Sequence, residues 1–113
     1  DDDLDVWLIS WVPGRHTELH DHGGSLGALT VLSGALDEYR WDGDRLRRRR
    51  LDAGDQAAFP LGWVHDVVWA GSQVPTPTLS VHAYSPPLAA MSYYEVTERA
   101  TLRRGRVELT EHE

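Results

Sequence analysis

At 113 residues the chain is sized for one domain, and a chain of that length buries roughly two-thirds of its unfolded surface. Its 11 basic residues, all arginine, are outnumbered by 18 acidic ones, and the net charge of −7 argues against nucleic acid or anionic lipid as a partner. Cysteine is absent, which excludes a disulfide framework, thiolate metal ligands and a thiol nucleophile, and fits a reducing cytoplasm.

Strand signals dominate in chain order. Val6 to Trp11 is short, apolar and aromatic, and Pro13-Gly14 ends it. Gly27 to Leu32 runs into a turn at Ser33-Gly34. Ala35 to Trp41 alternates in part, meets the hairpin turn Asp42-Gly43-Asp44, and returns as Arg45 to Leu51. Gln56 to Phe59, His65 to Ala70, Leu79 to Tyr84 and Val107 to Thr110 are further short strands. Leu88 to Tyr94, behind Pro86-Pro87, is expected to form the only helix. Many short strands with frequent turns specify an all-β sandwich or barrel. No run approaches the roughly 18 apolar residues of a membrane span, and no signal peptide opens the chain. Its start, Asp1-Asp2-Asp3-Leu4-Asp5, lacks methionine and has the look of part of a longer or processed chain.

The histidines carry the chemistry. In a strand, residues two apart share a face, so His20 and His22 would point together and Asp21 away. A third imidazole, His65, lies in Pro60-Leu61-Gly62-Trp63-Val64-His65. Three nitrogens on one ion would leave positions open for substrate, and imidazole suits zinc, copper, iron and nickel. His16 and His112 are expected to face solvent, and Asp66, like Asp21, to point away from the ion.

A second polar stripe lies in Ser80-Val81-His82-Ala83-Tyr84. Strict alternation puts Ser80, His82 and Tyr84 on one face, where serine, imidazole and phenol can form a hydrogen-bonded relay. The arginine run Arg47 to Arg50 is read as a solvated edge strand, which deters edge-to-edge pairing. Trp7, Trp11, Trp63 and Trp69 are core candidates.

Spacing adds a resemblance. Gly14 is followed by five residues and His20-x-His22, with Gly34 twelve residues beyond; Gly54 is followed by five residues, Pro60-x-Gly62, two residues and His65. These segments resemble the paired motifs of the cupin superfamily, jelly-roll (double-stranded β-helix) barrels that hold a metal in the barrel mouth. The resemblance implies a single cupin domain over 1–113. Many cupins add a glutamate ligand, but Leu26 and Gly27 occupy the candidate positions, and Trp69 replaces a frequent asparagine. The implied ligand set is three histidines without a carboxylate, unlike that of oxalate-degrading cupins.

Trp11 to Ser25, Gly62 to Val67 and Ser80-x-His82-x-Tyr84-Ser85-Pro86-Pro87 together resemble the cysteine dioxygenase family, bacterial type, over Trp7 to about Met91. The resemblance implies a mononuclear non-haem iron, Fe(2+), on His20, His22 and His65. It also implies oxidation of a small thiol, L-cysteine, to its sulfinate with O2. Tyr84 would sit near the reacting thiol and oxygen, positioned by His82 and Ser80, and Trp11 would pack against that row. Ile9, Trp11, Gly27 and Met91 are implied as substrate-lining residues. Gly27 matches a cysteine that mammalian members crosslink to the tyrosine, so Tyr84 should be an unmodified phenol. Ser85-Pro86-Pro87 matches a segment with a cis Ser-Pro bond in cysteine-using members. The family's N-terminal helical segment, with its carboxylate-binding arginine, is expected to be absent from this chain; Arg15 is too close to His20 to match it. A cytoplasmic monomer is expected. Three alternatives stay open: a dioxygenase for 3-mercaptopropionate or another small thiol, a non-catalytic ligand-sensing cupin, and a zinc or manganese isomerase.

Overall fold

The computed structural model describes residues 3–71 and 76–109. Among them there are nine strands and no helix: β1 (Asp5–Trp11), β2 (Leu26–Ser33), β3 (Ala35–Trp41), β4 (Leu46–Asp52), β5 (Gln56–Phe59), β6 (His65–Trp69), β7 (Thr78–Ser85), β8 (Ala90–Val96) and β9 (Leu102–Leu109). One layer is a four-stranded sheet in the order β1-β7-β2-β5. The facing layer holds β4-β3-β6 and the hairpin β8-β9. Isolated bridges from His16 to Val68, His20 to His65 and His20 to Tyr93 join β6 to β8 through the segment after β1. All strand pairings are antiparallel, and the architecture is a cupin barrel.

Alternation assigns the faces. On β7, Thr78, Ser80, His82 and Tyr84 are buried and the residues between them only partly so. Their cross-strand partners Trp11, Ile9, Trp7 and Asp5 on β1, and Val31, Leu29 and Gly27 on β2, share that inner face. The core gathers Trp11, Leu29, Val31, Leu36, Leu51, Ala57, Phe59 and Val67, with Ile9, Trp63 and Trp69 packed against it. Burial of a side chain such as Phe59 contributes about 1.5–3 kcal/mol, so this cluster anchors the strands that present the histidines. Trp7 departs from the core expectation: it is 41% exposed, on the edge strand β1 and at the wall of an open cavity.

Gly14, Gly34, Gly54 and Gly62, the glycines of the two spaced frames, all take positive φ. Gly34 shows the necessity most clearly: at φ +71° an added Cβ would lie 2.1 Å from Thr78 Oγ1.

The segment expected to be helical is strand instead. Ala90–Val96 pairs with Leu102–Leu109, with a register shift between Tyr93 and Tyr94. Its aromatic pair and Val96 suit a pleated surface, and cross-strand pairing with β9 outweighs the helical reading of a short apolar run. β9 therefore begins well before Val107; Thr110 and His112 lie outside the described residues. β4 is an edge strand, and its arginines are engaged: Arg47 with Asp42, Arg48 with Asp37, Arg49 with Glu38 and Arg50 with Asp52. No helix among the described residues is long and apolar enough to cross a membrane.

Candidate metal centre

His20 and His22 do not lie in a regular strand. His20 is held by reciprocal backbone bonds with His65, N to O 2.9 Å and 3.0 Å, while Asp21 N donates to Ser92 O at 2.9 Å. His22 is in the connection leading to β2. The Asp21 carboxylate points away from the histidines, accepting from Gly23 N, Ser92 N and the Tyr94 hydroxyl. Burial opposes its ionisation, but those donors outweigh it and hold its pKa below the ordinary value. The two imidazoles thus share a side because the stretch is extended and pinned between β6 and β8.

The three side chains converge. His20 Nε2 lies 3.1 Å from His22 Nε2, and His65 Nε2 lies 3.3 Å from the same atom. Nitrogens about 2.1 Å from one ion are separated by about 3.0–3.4 Å between right-angle and tetrahedral arrangements. The other ring nitrogens of His20 and His65 are committed elsewhere. His20 Nδ1 donates to the Glu18 carbonyl at 2.8 Å, and His65 Nδ1 donates to Glu38 Oε2 at 2.7 Å. Each of those rings therefore turns a lone pair toward His22, which holds at most one proton there when neutral. Such an acceptor-rich centre fits a cation. Glu18 adopts φ 69°, uncommon for a non-glycine residue, and this conformation aims its carbonyl at His20.

Electrostatics agree with the geometry. Burial, then the neighbouring imidazole charges, lower the His20 pKa to about 4 and that of His22 to about 2. At neutral pH both rings are uncharged, the form that ligates metal. His22 stacks on Phe59 at 5.4 Å between centroids, which couples the site to the core.

The row on β7 adjoins this cluster. Trp11 Nε1 donates to Ser80 Oγ at 2.9 Å, Ser80 Oγ lies 2.8 Å from His82 Nε2, and the Tyr84 hydroxyl lies 3.4 Å from His82 Nδ1. Ser80 is fully buried and already accepts from Trp11, so its own proton goes to His82 Nε2. That assignment leaves His82 Nδ1–H donating to the Tyr84 oxygen over a long contact, and frees the phenol proton for another acceptor. Burial lowers the His82 pKa to about 4 and raises that of Tyr84 to about 12, so both stay neutral across the physiological range.

A cavity of about 300 Å³ opens beside both groups. His20, His65, His82 and Tyr84 line it, together with Ile9 and Met91. Trp11 and Gly27 stand behind the wall. Trp11 supports Ser80, and a Cβ at Gly27 would lie 2.9 Å from ring atoms of both Phe59 and Tyr84, so glycine lets the phenol pack down. His16 is exposed and pairs with Asp66 at 3.1 Å, yet it lines the cavity too. Arg15, whose spacing does not match the family arginine, also lies on this wall. The Ser85–Pro86 bond is cis.

Sequence reasoning missed Glu38, Tyr93 and Thr17. Glu38 sits on β3 with 1% exposure, and its only local signal is an acidic residue among inward-facing positions of a partly alternating strand. Tyr93 stands 6.0 Å from His20 between ring centroids, on the segment expected to be helical. Thr17 lines the cavity and binds Asp66 Oδ1 and Val67 N through its hydroxyl.

Comparison with known proteins agrees on the architecture. A structure of an uncharacterized conserved protein with a double-stranded β-helix domain from Klebsiella pneumoniae is 26% identical; the match covers 82% of this chain and 71% of that one, with a TM-score of 0.70. KdgF from Halomonas sp. is similar at 22% identity over 76% of this chain and 72% of its own, TM-score 0.64. An oxalate oxidase in complex with the substrate analogue glycolate is 20% identical over 78% of this chain and 44% of its own, TM-score 0.66. The latter two, at such identities, speak for the fold alone. The family model for cysteine dioxygenase type I matches residues 1–97, and with that span this chain belongs to the cysteine dioxygenase type I family.

Proposed function

We propose that this protein is a thiol dioxygenase that converts L-cysteine and O2 to cysteine sulfinate at an Fe(2+) ion held by His20, His22 and His65. One observation carries the reading: His20 and His65 of the converging trio line the same cavity as His82 and Tyr84 of the β7 row. Family membership supports a small thiol and dioxygen as the reactants. Bound iron would supply activation of dioxygen, chemistry that no side chain here performs.

The chain's own residues orient and protect. Ile9, Val67, Leu88 and Met91 give the cavity apolar wall that limits water around a thiol. Arg15 adds positive charge to that wall, suited to a carboxylate-bearing substrate. Tyr84, kept as a neutral phenol, is free to donate its proton in a hydrogen bond to a reacting oxygen or sulfur. His82, oriented by Ser80 at its Nε2, meets the Tyr84 oxygen with its Nδ1 and so helps to place the phenol. The reaction balances without an added reductant, because the thiol sulfur supplies all the electrons that dioxygen takes up and both oxygens end on it.

The test is oxygen uptake by iron-loaded protein with L-cysteine, with 3-mercaptopropionate as comparator and sulfinate quantified by mass spectrometry. Cysteine-dependent uptake matched by sulfinate is expected, faster than with the comparator. No uptake from folded, fully iron-occupied protein would sink the proposal. Tyr84→Phe should retain iron while turnover or coupling falls on the order of 10²-fold, the usual cost of losing one such donor. Unchanged rate and coupling would show that the phenol proton has no part in the chemistry.

A further inference from the structure

Among the described residues, Glu38 is the one buried carboxylate, and it lies directly behind a candidate metal ligand. Its Oε2 accepts from His65 Nδ1 at 2.7 Å and from Trp63 Nε1 at 3.2 Å, and its Oε1 accepts from Arg49 Nη2 at 2.7 Å. Three donors on two oxygens are the partners of an ionised carboxylate, since a protonated one would turn a hydrogen toward a donor. The placement is built by three strands: Arg49 stands opposite Glu38 on β4, and His65 begins β6 on the other side of β3. A buried charge without such partners is strongly disfavoured, so the surrounding donors exist to keep this one where it is.

We propose that Glu38 is a positioning residue of the metal centre: it fixes His65 as the Nδ1–H tautomer and lends a negative charge, through the imidazole, to a site whose ligands are all neutral. The carboxylate that Leu26 and Gly27 do not supply directly is thereby present one bond further out. Carboxylate–imidazole–metal arrays raise ligand basicity and lock ring orientation, and losing the outer partner costs about 10–100-fold in metal affinity. Arg49 on Oε1 and Trp63 on Oε2 add two further donors, one to each oxygen, and so hold the carboxylate in the orientation that faces His65.

This inference rests on the metal-centre reading, and one set of measurements separates the two. Full-length protein, Glu38→Gln and Glu38→Asp are titrated with Fe(2+) anaerobically, and the reduction potential of bound iron and the melting of metal-free protein are recorded. Glu38→Gln keeps an oxygen for His65 but removes the charge. It should bind iron 10–100-fold more weakly and raise the potential, whereas Glu38→Asp should recover part of both. Because a structural role alone would move melting and leave the potential unchanged, that pairing identifies the charge. Wild-type protein that retains no metal overturns the metal-centre reading and this inference with it. Wild-type retention with Glu38→Gln within twofold, at unchanged potential, overturns the inference alone. Independently of any variant's folding, nitrogen NMR of metal-free wild-type protein should show His65 protonated at Nδ1; protonation at Nε2 instead overturns the proposal.

Discussion

His65→Ala should yield folded protein that retains no metal through gel filtration, as measured by elemental analysis. The imidazole supplies one of three converging nitrogens, while the backbone bonds between His65 and His20 do not need the side chain. Two imidazoles lack the affinity of three, and loss of a ligand exceeds the 10–100-fold typical of losing an outer partner. The substitution also deprives buried Glu38 of its shortest Oε2 donor, which costs about 1–3 kcal/mol. Metal-free His65→Ala should therefore melt below metal-free wild type. His82→Asn is the control, because His82 contacts Ser80 and Tyr84 and not the converging nitrogens; it should keep its metal. Stoichiometric metal in His65→Ala would remove this residue from the ligand set.

Metal-free protein should lose stability steeply as pH falls from 6.5 toward about 4. Burial is the main cause of the low pKa of His20, His22 and His82, at about 4, about 2 and about 4, against 6.5 for each in the unfolded chain. Below pH 6.5 the unfolded chain takes up protons that the folded protein refuses, so stability rises with pH and falls on acidification. Each histidine contributes about 1.4 kcal/mol per pH unit inside its window. Together the three give about 4 kcal/mol per unit until His20 and His82 begin to protonate near pH 4, with His22 continuing below. Glu38 lends stability of the same sign in a lower window. Burial opposes its ionisation, but His65, Arg49 and Trp63 outweigh that effect and lower its pKa, so its contribution disappears in the carboxylate range. Urea midpoints of metal-free protein at pH 7.5, 6.0 and 5.0 would measure the slope. A flat midpoint across that interval would refute the burial of these imidazoles in uncharged form. Bound metal should shift the whole curve upward, since it binds the neutral ligands of the folded state.

The exposed outer face of the first sheet shows how far local patterning reaches. Val6 and Leu8 alternate with Trp7 and Ile9, and the pattern says that the two pairs face oppositely without saying which pair is inward. Only the pairing of β1 with β7 decides it, placing Trp7, Ile9 and Trp11 beside His82, Ser80 and Thr78. Periodicity likewise misread Leu88 to Tyr94, because a short apolar run fits a helix or a strand until a partner such as β9 is supplied.

By itself the sequence determined the all-β class, the glycine corners, the three histidines that meet and the shared face of Ser80, His82 and Tyr84. The class, the corners and the shared face are encoded by spacing and alternation within one segment, where backbone geometry is local. The grouping of His65 with His20 and His22 spans two segments and came from the family resemblance. Only the tertiary structure decided that His20 and His22 meet outside a regular strand, that Arg15 and Thr17 reach the cavity, and that Glu38 stands behind His65. The reason is register. Glu38 and His65 lie on separate strands, and which acid meets which imidazole depends on how β3 aligns with β6, a pairing that no single stretch of chain specifies.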